Sequence, residues 1–190
     1  KKSGSFGDTG CFSMHPLKSL NVMGDGGMIT TNDDEIAQWI NKYRNHGMID
    51  RDNIEFWGVN SRLQPLQAIV AMHGLKYLNR IITKRNKNAK ILDDCLSKIK
   101  NVKIPRRIKN NIETFSLYMG LFEDRDNLMN YLIKNKIEAK IHYPIPLHLQ
   151  KASKNLKYSI GNFPIAEQQA KKLLTLPVHQ YLNTKHMLYI

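Results

Sequence analysis

Cysteine is nearly absent: Cys11 and Cys95 are the only two in 190 residues. That is too few for a disulfide framework or a cysteine metal site, and it fits a reducing, cytoplasmic setting. No apolar run approaches the roughly 18 residues of a membrane span. No basic start followed by an apolar core marks a secretory signal. The chain opens on Lys1-Lys2-Ser3-Gly4 without an initiator methionine, so a fragment or a processed product is expected. Internal repeats and low-complexity segments are missing. What remains is ordinary for a globular protein, with 42% hydrophobic and 24% charged residues. The length allows one or two domains with real cores.

Acidic residues are also scarce, 16 against 29 basic ones, for a net charge of +13. The basic residues gather between Lys76 and Lys109, where only Asp93 and Asp94 oppose them. Such a stretch can meet nucleic acid. Yet no aromatic side chains interleave for base stacking after Tyr77, and no helix-turn-helix or RNA-binding signature is present. A solvated helix face or a phosphate-attracting surface is the better account, with a basic nucleic-acid-binding domain kept as a rival function.

The pattern along the chain is α/β. Thr9 to Met14 and Gly27 to Thr31 read as short strands around the Lys18 loop, with Gly24, Gly26 and Gly27 allowing a tight return. Asn32 or Asp33 caps a helix over 35–45 whose apolar face is Ile36, Ile40 and Tyr43, and Gly47 ends it. Pro65 opens a second helical face, with Leu66, Ile69, Val70, His73, Tyr77, Ile81 and Ile82, running as far as Ile99 with a break near Gly74. After Pro105 strands are expected over 114–122 and 137–143, helices over 125–135 and 163–174, and a loop or short strand over 176–179. The expected division is a first domain over 1–85 and a second over 86–190.

Lys18 stands in the run Gly10-Cys11-Phe12-Ser13-Met14-His15-Pro16-Leu17-Lys18-Ser19-Leu20. Between apolar stretches and before a glycine turn, its amine is held partly out of water, which favours nucleophilic chemistry. A nucleophilic lysine is what a Schiff base with a carbonyl substrate or pyridoxal phosphate requires. A lysine snorkelling at a strand end is the ordinary alternative. The surrounding glycines do not form a P-loop, because Leu17 occupies the place where that motif needs glycine. His142, His148 and His179 lack the spacing of a zinc site, so no metal is expected. Gly58-Val59-Asn60-Ser61-Arg62-Leu63 presents an amide and a guanidinium just before a helix, a combination suited to phosphate or carboxylate.

Together these segments resemble one family. The order is Gly7-Asp8-Thr9-Gly10-Cys11-Phe12-Ser13-Met14-His15-Pro16-Leu17-Lys18, then Gly24-Asp25-Gly26-Gly27-Met28-Ile29-Thr30-Thr31-Asn32-Asp33, Arg44-Asn45-His46-Gly47 and Gly58 to Leu63. It continues with Ile141-His142-Tyr143-Pro144-Ile145-Pro146-Leu147-His148, Phe163-Pro164-Ile165-Ala166-Glu167 and Leu174-Thr175-Leu176-Pro177-Val178-His179. This is similar to the DegT/DnrJ/StrS family of pyridoxal-phosphate sugar aminotransferases, over nearly the whole chain.

The resemblance implies the end of the large cofactor-binding domain of a fold-type I aminotransferase plus a small α/β C-terminal domain. It implies Lys18 as the catalytic, cofactor-linked lysine, Ser13 as a phosphate ligand, and Asn60 as a phosphate ligand to the neighbouring subunit of a homodimer. Arg62 beside it, His142 and Tyr143 fall with the substrate-binding residues. The cofactor is pyridoxal 5'-phosphate, the amino donor glutamate, and the acceptor a nucleotide-linked keto sugar, commonly for surface polysaccharide. Two departures bear on this. Ser19 replaces a frequent asparagine, which is tolerable. The family's upstream aspartate that pairs with the pyridine nitrogen has no counterpart here, nor do its phosphate loop and stacking aromatic. The chain is therefore expected to be the C-terminal half of a longer enzyme, binding cofactor poorly alone. Some relatives are dehydratases with histidine at the lysine position; Lys18 favours transamination. A non-catalytic regulatory paralogue of the same fold is the other rival.

Overall fold

The glycine-flanked run around Lys18 folds into a ribbon in the computed structural model, which describes all of residues 1–190. Strands β1 (Thr9–Ser13) and β2 (Gly27–Thr31) pair antiparallel, in register from Thr9 opposite Thr31 to Ser13 opposite Gly27. One further bond, from Met14 N to the Gly26 carbonyl at 2.8 Å, carries the ladder past β1. Helix α1 (Asp34–Tyr43) follows, and of the two possible caps it is Asp33 that serves. Its Oδ1 accepts from the Glu35 and Ile36 amides at 2.9 and 3.0 Å, satisfying two of the orphan donors of the first turn. Asp34 and Glu35 at the start and Lys42 at the end complement the helix dipole.

Helix α2 (Pro65–Leu75) starts with proline, whose missing N–H costs nothing in a first turn. The expected break comes just after Gly74. Amides of Lys76 and Tyr77 bond three residues back, to His73 and Gly74, and α3 (Leu78–Leu96) begins after them. The chain divides within α3 into two units, Lys1–Asn79 and Arg80–Ile190. The first has a small core of Met14, Val22 and Ala71, with Leu20 and Leu63 packed against it.

The second unit is built on an antiparallel sheet ordered β3 (Val102–Lys103), β4 (Tyr118–Phe122), β5 (Leu173–Leu176). Alternate residues of β4, namely Tyr118, Gly120 and Phe122, are buried, as a strand with one face on a core requires. Helices α4 (Arg125–Lys134), α5 (Pro164–Lys172) and α6 (Thr184–Tyr189) complete it. Leu132 of α4, Met187 of α6, and Ala89 and Leu92 of α3 join Tyr118, Phe122, Leu174 and Leu176 in the core.

Helix α1 ends two residues and α3 three residues short of the sequence expectation, at Tyr43 and Leu96, and three further differences have a visible cause. Ile137 and Ala139 are buried alternately, but between 137 and 143 only Lys140 pairs, bridging to Thr175. Pro144 and Pro146 follow at once, and without their N–H groups the ladder cannot continue. The strand expected from Thr114 begins at Tyr118, because Arg85 Nη1 takes the Phe115 carbonyl at 2.7 Å and the Ser116 carbonyl at 3.4 Å. The helix expected through Leu174 stops at Lys172. Arg125 Nη1 donates to the Ala170 and Leu173 carbonyls, both at 3.2 Å, and satisfies this helix end as the chain turns into β5. Sequence periodicity did not show β3 or α6. No helix is long and apolar enough to cross a membrane.

Candidate functional site

Between the two strands of the ribbon, the chain from His15 to Asn21 is a closed loop, and Lys18 sits at its middle. The Val22 amide donates to the Met14 carbonyl at 3.2 Å and shuts the loop at its base. Met14 and Val22 are only 2% and 1% exposed, so the base is fixed by burial as well as by hydrogen bonding. Inside, the Lys18 amide donates to the His15 carbonyl at 2.8 Å. The His15 ring is tied in by accepting from the Leu17 amide at its Nδ1, 3.2 Å away. Ser13 Oγ accepts a longer bond from the His15 amide, 3.4 Å, and keeps its own O–H to donate. Lys18 is half-buried, and none of the chain's ion pairs involves it.

The glycine turn beneath is clamped by α2. Gln67 Nε2 donates to the Asp25 carbonyl at 2.9 Å, while its Oε1 accepts from the Gln64 amide at the helix start. The first turn of α2 therefore fixes the return of the Lys18 loop.

Asn60 and Arg62 come together as the sequence predicts, through a partner it did not assign. Arg62 Nε donates to Asn60 Oδ1 at 3.1 Å, and its Nη1 donates to Asn45 Oδ1 at 3.0 Å. Asn45 and Asn60 face each other across a backbone bridge, reinforced by His46 N to Val59 O and Ser61 N to Arg44 O. The bridge is possible because Gly47 lies at φ +72, where a side chain's Cβ would stand 1.7 Å from the Phe56 carbonyl oxygen. Two amide oxygens thus orient the guanidinium without neutralising it. Because its oxygen is occupied, the Asn60 amide is left with NH2 donors. The Arg44-Asn45-His46-Gly47 run carried the signal for Asn45, yet an asparagine after a helix looks like an ordinary stop signal.

His142 and Tyr143 belong to the other unit. His142 Nδ1 lies 2.9 Å from Thr175 Oγ1 on β5, and its ring meets Tyr143 edge-on at 5.4 Å. Tyr143 itself is 71% exposed. Thr175, buried and on the opposite segment of chain, fixes the imidazole; its place in the Leu174 to His179 motif gives no sign of that role.

Chemically, the first unit offers a partly buried primary amine, a free hydroxyl donor, amide donors and an unneutralised guanidinium. The amine suits a carbonyl carbon, and the donors and the guanidinium suit a phosphate or carboxylate.

Comparison with known proteins agrees with this chemistry. A dTDP-3-amino-3,6-dideoxy-alpha-D-galactopyranose transaminase from Aneurinibacillus thermoaerophilus is 35% identical over 98% of this chain and 51% of its own length. A protein from Geobacillus stearothermophilus described as a pleiotropic regulatory protein is 33% identical over 98% of this chain and 51% of its own. The crystal structure of a DegT DnrJ EryC1 StrS aminotransferase from Brucella abortus superposes with a TM-score of 0.90 at 33% identity, covering 98% of this chain and 50% of that one. The chain thus spans about half the length of the curated relatives it matches. Sugar aminotransferases of this family depend on pyridoxal phosphate. The model of the DegT/DnrJ/EryC1/StrS aminotransferase family matches residues 1–190, and the chain belongs to that family.

Proposed function

We propose that this chain is the C-terminal half of a pyridoxal-phosphate aminotransferase that moves an amino group from glutamate to a nucleotide-linked keto sugar. The observation that carries the proposal is the Lys18 loop: a half-buried lysine without an ion-pair partner, on a loop locked at Met14 and Val22. Those residues fit the cofactor. Lys18 Nζ is the amine its aldehyde needs and Ser13 Oγ a neutral donor for its phosphate, while the Asn60 amide is a neutral donor for the phosphate held by a neighbouring subunit. Bound there, the cofactor supplies the electron sink that makes the hydrogen beside the transferred nitrogen acidic. Lys18 Nζ would be the general base that takes up that proton. Arg62, held by Asn45 and Asn60, keeps its charge for an anionic group of cofactor or substrate. His142 and Tyr143, in the other unit, are assigned to binding the sugar nucleotide.

In this assignment residues 1–85 complete the large cofactor domain and 86–190 form the small domain. Asn60 and Arg62 serve the site of a second subunit in a cytoplasmic homodimer, and the amino sugar is destined for surface polysaccharide. One relative's description as a regulatory protein favours a second reading, a non-catalytic paralogue with the same fold.

The test uses the full-length protein purified with pyridoxal phosphate. A visible absorption band should be present, vanish in Lys18→Ala, and be trapped on Lys18 by borohydride. Glutamate should bleach the band. A complete protein with no band, or with a band indifferent to Lys18→Ala, overturns the proposal in favour of the regulatory reading.

A further inference from the structure

From Pro144 to Phe163 the second unit carries a strap with no strand and no α-helix, only 3-10 turns at Leu147–Leu149 and Lys151–Leu156. Most of it lies in solvent: Leu147 is 83% exposed and Ile160 80%. Two side chains contradict that exposure. His148 and Glu167 form a pair at 3.0 Å whose side chains are only 7% and 13% exposed.

Glu167 lies in the first turn of α5 and gathers three points of the strap at once. Its carboxylate accepts from His148 Nε2, from the Gly161 amide at 2.9 Å to both oxygens, and from the Phe163 amide at 3.2 Å. These bonds, the Gly161 amide foremost, hold its carboxyl below the usual glutamate range, so it is ionised at neutral pH. The His148 ring also leans on Phe163, 4.7 Å between centroids, and Phe163 meets Tyr158 edge-on at 5.1 Å.

The other anchor is Thr175. It holds His142, just before the strap begins, and it lies on β5, into which α5 runs without a loop. One continuous helix-to-strand element therefore carries both anchors. His142 is fixed at the strap's start, and His148, Gly161 and Phe163 along its length. Tyr143, between the anchors, is left exposed on a backbone that is pinned on either side.

The geometry points to Glu167 as a positioning residue: it latches the 144–163 strap and so sets where His142 and Tyr143 meet a bound sugar nucleotide. This inference rests on the transaminase proposal for what those two residues meet, while the latch itself does not. Glu167 acts through the strap it holds, and its loss loosens that segment.

Lys151, Lys154 and Lys157 are exposed in the strap and report its opening by trypsin cleavage. In the full-length protein, Glu167→Gln removes the charge while keeping the shape, and Glu167→Asp keeps the charge. Losing a carboxylate with several charge-assisted bonds should raise cleavage within the strap about tenfold or more in Glu167→Gln. The aspartate variant should recover part of that protection. The visible cofactor band should be unchanged in both. KM for the sugar nucleotide should rise about tenfold in Glu167→Gln with kcat nearly kept. Unchanged cleavage in folded Glu167→Gln, checked by its circular dichroism melt, overturns the latch. Faster cleavage with unchanged KM overturns the positioning role. An unsubstituted protein with no cofactor band is a different failure, that of the aminotransferase proposal, and the cleavage result stands apart from it.

Discussion

Gly26 is the place where the Lys18 loop can be disturbed without touching any group that does chemistry. A Cβ there would stand 2.6 Å from Val22 Cγ2 and 3.0 Å from Leu63 Cδ1. The conflict is one of space, since the Gly26 φ lies outside the left-handed region. Val22 is 1% exposed and β-branched, with little freedom to turn away. Overpacking of this kind costs about 1–3 kcal/mol. Val22 must move, and its amide closes the loop on the Met14 carbonyl, so Gly26→Ala should also weaken pyridoxal phosphate binding at Lys18. A double-mutant cycle isolates the clash. Val22→Ala alone costs about 2 kcal/mol in lost burial and cavity. In that background the Cγ2 obstacle is gone, so Gly26→Ala should cost less by about 1 kcal/mol or more. In the 190-residue chain, urea unfolding followed by tryptophan fluorescence reports the first unit, because its two tryptophans, Trp39 and Trp57, both lie within it. Strictly additive costs, or an unshifted midpoint in Gly26→Ala, would refute the assignment of Val22 as the keystone of the loop.

Asn88 is 1% exposed and donates to the His179 carbonyl at 2.9 Å, holding the segment before α6 against α3. Asn88→Ala should cost the second unit about 1–3 kcal/mol by leaving buried carbonyls short of a donor, measured by thermal melting. Tyr118 is pushed well above the ordinary tyrosine value by burial first and by its bond to Asp93 Oδ1 second, so it should be the last of the 8 tyrosines to ionise in an ultraviolet pH titration. A raised folded value means its contribution to stability is whole below the ordinary tyrosine value near 10 and is lost as pH climbs beyond it. In Asp93→Asn the phenol should ionise at lower pH; no change would remove Asp93 as a cause. Thr175→Val deletes the hydroxyl that holds His142 and should cost about 1 kcal/mol of stability; on the proposed aminotransferase function it should also raise KM for the sugar nucleotide. An unmoved KM would show that Thr175 does not place the imidazole for binding.

The elements legible in the sequence are those whose causes are local. A glycine turn between two short apolar runs gives the β1–β2 ribbon, Asp33 before an amphipathic run gives α1, and Pro65 gives the start of α2. Where the cause lies far along the chain, the pattern misleads. Residues 137–143 alternate like a strand and Ile137 and Ala139 do bury, but only Lys140 finds a ladder partner, Thr175, and Pro144 and Pro146 stop pairing beyond. The end of α5 is set by Arg125, a partner that periodicity within 163–174 cannot show. The same division runs through the site. Lys18, Ser13, Asn60 and Arg62 were readable as members of ordered motifs. Their supports were not: Asn45 lies 17 residues from Arg62, Thr175 lies 33 from His142, and Glu167 lies 19 from His148. A spacing of that size carries no periodic signal until the fold closes it.

The basic stretch from Lys76 to Lys109 shows why net charge located the site poorly. Arg107 donates twice to Asp93 and once to Glu113, and lies over the rings of Phe115 and Tyr118, so its charge is spent inside the unit. Arg85 is buried on backbone carbonyls and Gln180, and burial lowers its pKa. Lys90 pairs with Asp94. These are cations whose partners are already within the chain. Arg62 differs in kind, since it is exposed and its partners are amide oxygens, which fix direction and leave the full positive charge outward. Lys18 differs again, half-buried with no carboxylate to pair with. Replacing Asn45 by Asp tests the distinction. The bond to Arg62 survives and strengthens, stability holds or rises, and the guanidinium is neutralised. If Arg62 serves an anionic ligand, Asn45→Asp weakens binding of that ligand in a protein that melts no lower than before. If Arg62 is merely a brace between two loops, binding is untouched.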